Sequence, residues 1–163
     1  MPTDDPRAAV IRAGSAIGIG MGGFVDGILF HQILQIHNML SARISPETLI
    51  GAKINMVWDG LFHAFVWAMT ALGIALLWRA RALAALVPGR IFVGALLMGW
   101  GLFNLVEGVI DHHLLGLHHV VERLGPSAWD WLFLASGAAL ATTGWMLARG
   151  SAGPLRERPR LVE

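Results

Sequence analysis

Four apolar stretches, at about residues 14–38, 55–78, 91–117 and 129–148, are each long enough to cross a bilayer. In hydrocarbon every backbone N–H and C=O must find its partner within the protein, which for stretches of this kind means helix. The expected fold is all-α: a four-transmembrane-helix bundle made of two parallel helix-hairpin repeats. Charged residues are 14% of the chain and hydrophobic ones 55%, too little charge to clothe a soluble domain of this size. The bundle domain is expected at 13–148, with repeat one at 14–78 and repeat two at 91–148. A polar leader at 1–12 precedes it, and a charged, proline-containing tail at 149–163, expected to be disordered, follows.

The repeats are legible in the residues. Positions 25–37 read V-D-G-I-L-F-H-Q-I-L-Q-I-H and positions 106–118 read V-E-G-V-I-D-H-H-L-L-G-L-H. The acid (Asp26, Glu107), the glycine (Gly27, Gly108) and two histidines (His31 and His37, His112 and His118) recur in register. W-D-G-L-F-H at 58–63 and W-D-W-L-F-L at 129–134 follow the two copies, so His63 has Leu134 as its counterpart. Carboxylates and imidazoles are costly inside a membrane, and a chain that carries this many there is using them.

Arginines set an orientation. Arg7, Arg12, Arg79, Arg81, Arg90, Arg149, Arg156, Arg158 and Arg160 fall on one side of the four-span arrangement, against Arg43, Lys53 and Arg123 on the other. An excess of positive charge marks the cytoplasmic side. Both termini are therefore expected in the cytoplasm of an inner membrane, with the ends of helices one and three outside. These arginines form no stripe of the kind that reads nucleic acid. The chain has no cysteine, which removes disulfides and thiolate metal sites, and no tyrosine.

Helical geometry tests which polar groups can meet. Asn55, Asp59 and His63 form one stripe at i, i+4, i+8. Asn104, Glu107, Asp111 and His118 fall within about 60° of one another at 100° per residue. His112 and His119 lie further round and are expected to face a different neighbour. In a regular helix His31 is turned about 140° from Asp26, and His37 lies about 16 Å along the axis from it. Only a break in the helix would let Asp26 and His37 hold one ion; a bulge at the intervening glycine would change the first angle. The expected site has a deep layer of Asp26, His31, Asp59, His63, Glu107, Asp111 and His112, with His37, His118 and His119 above it as a histidine-rich mouth. Asp130 is expected to cap helix four, and Asn55 and Asn104 either to orient imidazoles or to bond neighbouring helices.

The spans hold Asp26, Asp59, Glu107 and Asp111 but neither lysine nor arginine. Each acid must be protonated, paired with a cationic histidine or bound to a cation. Mixed imidazole and carboxylate donors suit iron, manganese, zinc or copper, with copper or iron the leading expectation. Two histidines facing each other would also serve haem. The competing readings are an acid–histidine network that only fixes the bundle, and a proton relay. Partners expected are the lipid bilayer and either a second copy or assembly factors; catalysis by a redox metalloenzyme and metal capture both remain open.

The segments G-F-V-D-G-I-L-F-H-Q-I-L-Q-I-H-N-M-L, W-D-G-L-F-H and G-W-G-L-F-N-L-V-E-G-V-I-D-H-H-L-L-G-L-H-H-V resemble the bacterial membrane-protein family catalogued as domain of unknown function 2243. The resemblance runs from about Gly14 to Gly144 and implies a four-helix inner-membrane protein. It also implies a place near copper-handling factors for respiratory-oxidase assembly, which would favour copper over iron.

Overall fold

The computed structural model describes residues 5–150. Four long apolar helical spans run Pro6–Ile33, Leu49–Arg79, Gly89–Leu114 and Ala128–Arg149, meeting the four-helix expectation; among the described residues there is no strand. The first span is α1 (Pro6–Phe24) continued by a π-helical segment, Val25–Ile33. The second is α2 (Leu49–Arg79), and α3 (Arg81–Ala84) is a single turn in the connection that follows. The third is α4 (Gly89–Glu107), again continued by a π-helical segment, Gly108–Leu114. The last is α5 (Ala128–Arg149).

Four boundaries differ from those expected by three residues or more, among them the start of the second span, at Leu49 instead of 55. The leader is helical from Pro6, with Asp5 accepting a hydrogen bond from the Arg7 backbone as its cap. The first span stops at Ile33 instead of 38 and the third at Leu114 instead of 117. Residues 1–4, and the tail beyond Gly150 for which disorder was expected, lie outside the described residues.

Helices α1 and α4 pack on each other at the centre, with α2 against α1 and α5 against α4. Small residues set these distances, as glycine spacing in a membrane helix suggests. A Cβ on Gly14 would stand 2.7 Å from that of Ala95 across the α1/α4 contact, and one on Gly94 would stand 2.6 Å from the Gly144 carbonyl across α4/α5. The outer helices bury little. On α2 the buried residues are Gly51, Asn55, Asp59, Val66 and Gly73, a single thin stripe. Trp58, Trp67 and Trp78 on α2 and Trp129, Trp131 and Trp145 on α5 are exposed, as befits helices that face lipid. The polar core sits at one end of the bundle, where α1 and α4 finish and α2 and α5 begin.

Candidate metal centre

The centre starts from a change of helical pitch. A π-helix bonds residue i to i+5, so it stacks side chains five apart as an α-helix stacks those four apart. Asp26 and His31 are five apart, and so are Glu107 and His112. The 140° separation of a regular helix is thereby removed: His31 Nε2 lies 3.0 Å from Asp26 Oδ2. Each π-helical segment then ends alike. Leu34 N–H donates to the Leu29 carbonyl and Ile36 N–H to that of Phe30; Leu115 and Leu117 repeat this with Ile110 and Asp111. The chain turns at Gln35 (φ 50°) and Gly116 (φ 53°), both left-handed.

This turn folds the next histidine back on the helix that precedes it. His37 Nε2 comes within 3.7 Å of Asp26 Oδ1, and His118 Nε2 within 3.7 Å of Glu107 Oε1. His37 and His118 are 2% and 0% exposed. They are therefore not the mouth of the site, which corrects the two-layer picture drawn from a continuous helix: they belong to its centre. Their rings stack at 4.7 Å, with His31 edge-on to His37 at 4.6 Å and His112 edge-on to His118 at 4.8 Å.

Each imidazole has an acceptor behind it, and three of the four bond to theirs. His31 Nδ1 donates to Asp59 Oδ1 (2.9 Å), His37 Nδ1 to the Val120 carbonyl (2.9 Å) and His118 Nδ1 to the Met39 carbonyl (3.1 Å). His112 Nδ1 stands 3.3 Å from Asp130 Oδ1. Asp59 and Asp130 are fixed in turn, accepting from the backbone N–H of Met39 and of Val120, each at 2.9 Å. The inward atoms have no such partner. Asp26 Oδ2, both Glu107 oxygens and the Nε2 atoms of His31, His37, His112 and His118 are buried without a hydrogen bond. Burial first, then the neighbouring His37 and His112, pushes the His118 imidazole well below its ordinary range and keeps it neutral.

Ligand atoms of His31, His37 and His118 lie within 4.8 Å of one another, and so do those of Glu107, His112 and His118. His118 is common to both groups. The ion pairs that Asp26, Asp59, Glu107 and Asp130 make are all with histidines.

Of the ten residues singled out from sequence, Asp26, His31, His37, Glu107, His112 and His118 converge here, and Asp59 stands directly behind His31. His63 does not: it is half-buried, its Nδ1 donates to the Asp59 carbonyl (2.7 Å), and its ring covers Gly27. Asp111 is half-buried beside Glu107, outside both ligand groups. His119 faces Asp130 at 3.5 Å, which matches its expected rotation away from Glu107; His112 faces Asp130 too, yet still reaches the centre. Asn55 holds the Ile44 carbonyl and the Leu40 N–H, and Asn104 bonds Ser136, so both take the helix- and loop-tying role and neither orients an imidazole.

Asp130 does cap α5, its Oδ2 accepting from the Ser127 backbone N–H at 2.9 Å. It also stands behind His112, a role that the shared Trp-Asp of 58–59 and 129–130 signals and that the cap alone hides. The Met39 and Val120 carbonyls carry no sequence signal.

A family model described as "Predicted membrane protein (DUF2243)" matches residues 13–151. No curated protein matches the chain, and no solved structure does.

Proposed function

We propose that this chain, which belongs to the DUF2243 family of predicted membrane proteins, is a membrane protein built around a resident divalent transition-metal centre. The ligands are His31, His37, His112 and His118 through Nε2, with the carboxylates of Asp26 and Glu107. One observation carries this reading: four imidazoles aim unpartnered Nε2 atoms at two unpartnered carboxylates, while an acceptor stands at each Nδ1. Metal-binding histidines are oriented in this way. Neighbouring ligands on an ion with bonds of roughly 2.1 Å stand about 3.0 to 3.5 Å apart; the His31–Asp26 pair at 3.0 Å meets this, and the His37–Asp26 and His118–Glu107 pairs, each at 3.7 Å, would close slightly on an ion.

A purely structural network would satisfy these atoms. Asp26 and His31 are close enough to bond but not aligned to do so, and an orphaned buried polar group costs about 1–3 kcal/mol. A cation offsets the two buried carboxylates at once. Nitrogen and carboxylate donors without thiolate suit iron or copper(II), and zinc or manganese after them. Haem fits poorly, since rings of His37 and His118 stacked at 4.7 Å leave no room for a macrocycle between them. A resident centre is favoured over a hand-over site for copper because the histidines that would form a ladder to the surface are ligands themselves, or, as His119, rest on Asp130.

Such an ion would supply Lewis acidity or electron transfer; the chain supplies a rigidly oriented imidazole set and excludes water from it. Arginines at the opposite end, including Arg79, Arg81, Arg90 and Arg149, support an orientation with the centre toward the outer face of a bacterial inner membrane.

The test is elemental analysis of protein purified anaerobically in detergent. Wild type should carry at least one equivalent of a transition metal; His118→Ala, which removes the shared ligand, should keep less than roughly a tenth of it, and His63→Ala should keep it all. Metal-free wild type reloaded with Co²⁺ should show visible ligand-field bands. A wild type that holds no metal and takes up no Co²⁺ would leave the acid–histidine network as the function of these groups.

A further inference from the structure

An apolar groove of about 260 Å³ runs between α2 and α4, walled by Ile19, Phe65, Leu102, Phe103 and Val106, and it ends on Glu107 and Asp111. Phe65, Leu102 and Val106 are each about half exposed, so in a bilayer this groove opens sideways into hydrocarbon and not to water. The two acids at its polar end differ in kind. Glu107 is 4% exposed and has no hydrogen bond on either oxygen; it touches the centre through His118. Asp111 is half-buried, and its carboxylate makes no hydrogen bond or ion pair among the described residues; its backbone carbonyl accepts from the Leu117 N–H. A carboxyl left so at the edge of a lipid-facing groove needs a partner from outside the chain.

We infer that this groove takes a membrane-soluble amphiphile with a hydroxyl head, which donates to Asp111 beside Glu107 while its tail follows Phe103, Leu102 and Ile19. The walls offer no donor, so the head must bring one. From Asp111 to Leu102 is roughly 13 Å along the helix at 1.5 Å per residue. Asp111 lies within one turn of the end of its span, at Leu114, so the ligand would sit as a lipid does, head at the interface and tail toward the midplane. A second groove of about 230 Å³ reaches Asp26 between α1, α4 and α5, but Phe30 occupies the position that Asp111 holds in the first. Of the two grooves, the α2/α4 one is therefore the one with a second carboxylate, Asp111, at its polar end, apart from the acid that faces the centre. That the ligand is a substrate of the centre rests on the metal reading; that the groove binds it does not.

The test is photolabelling in phosphatidylcholine nanodiscs with a diazirine-bearing dodecan-1-ol. Labels should fall on Phe65, Leu102 and Val106, and unlabelled dodecan-1-ol should displace them about tenfold better than its methyl ether, the worth of one hydrogen bond. Val106→Trp, which fills the groove, should abolish that labelling, while Leu132→Trp, on the exposed face of α5, should not. Asp111→Leu should retain the label and lose the preference for alcohol over ether. Labels spread evenly over α2 and α5, or equal displacement by alcohol and ether in wild type, would overturn the inference. Repeating the labelling on chelator-treated protein, with metal content measured on each sample, separates the two readings: groove labelling in a chain that never holds metal sustains the groove and removes only its assignment as a substrate site.

Discussion

Gln35 stands where the second half of the chain has Gly116, and both adopt left-handed φ values. A side chain with a Cβ is strained there by about 1 kcal/mol, and glycine is not. Gln35→Gly should therefore raise the stability of the detergent-solubilised protein by about 1 kcal/mol, seen as a higher thermal midpoint, with metal content unchanged. Gly116→Ala should lower stability by a similar amount. The same residue scale explains what sequence could and could not place. Asp26, His31, Glu107 and His112 declare themselves because ionisable groups are rare in apolar spans. Asp59 and Asp130 declare themselves by the Trp-Asp they share. His63, by contrast, fits its stripe with Asp59 but spends its donor on a carbonyl one turn back, an outcome that spacing cannot distinguish from ligation.

At the scale of the helix, the error of the sequence reading was one of pitch. Apolar periodicity locates spans and their faces for an α-helix, and it put His31 on the wrong side of Asp26 and His37 too far along the axis. The π-helical segments and the left-handed turns after them depend on tertiary contacts such as the Ala42 N–H to Leu117 carbonyl and the Glu122 N–H to Ile36 carbonyl bonds. Nothing local in V-D-G-I-L-F-H announces them beyond the glycine. Glycine packing was legible in kind but not by position. A Cβ on Gly94 would press on the backbone of Gly144 and Ala148, whereas one on Gly60 would meet nothing within 4 Å. Gly94→Ala should destabilise by about 1–3 kcal/mol as α4 and α5 are forced apart, while Gly60→Ala should stabilise by up to about 1 kcal/mol. Thermal unfolding followed by circular dichroism separates the two.

For the molecule as a whole, orientation is the property on which the arginine distribution carries an expectation and helix packing carries none. The chain has no cysteine, so single cysteines report it cleanly: Ala42→Cys in the loop over the centre should react with a membrane-impermeant maleimide added to intact spheroplasts, and Ala85→Cys in the opposite loop only after lysis. The way the centre is closed also sets an order of events during biosynthesis. His37, from the first half, is oriented by Val120, and His118, from the second, by Met39. Each half holds the other's ligand in place, so a nascent chain that has inserted only α1 and α2 displays histidines but no finished coordination sphere. On the proposed metal reading, ion selection would be postponed until the last helix is in the membrane, which would protect the growing chain from capturing the wrong cation on the way.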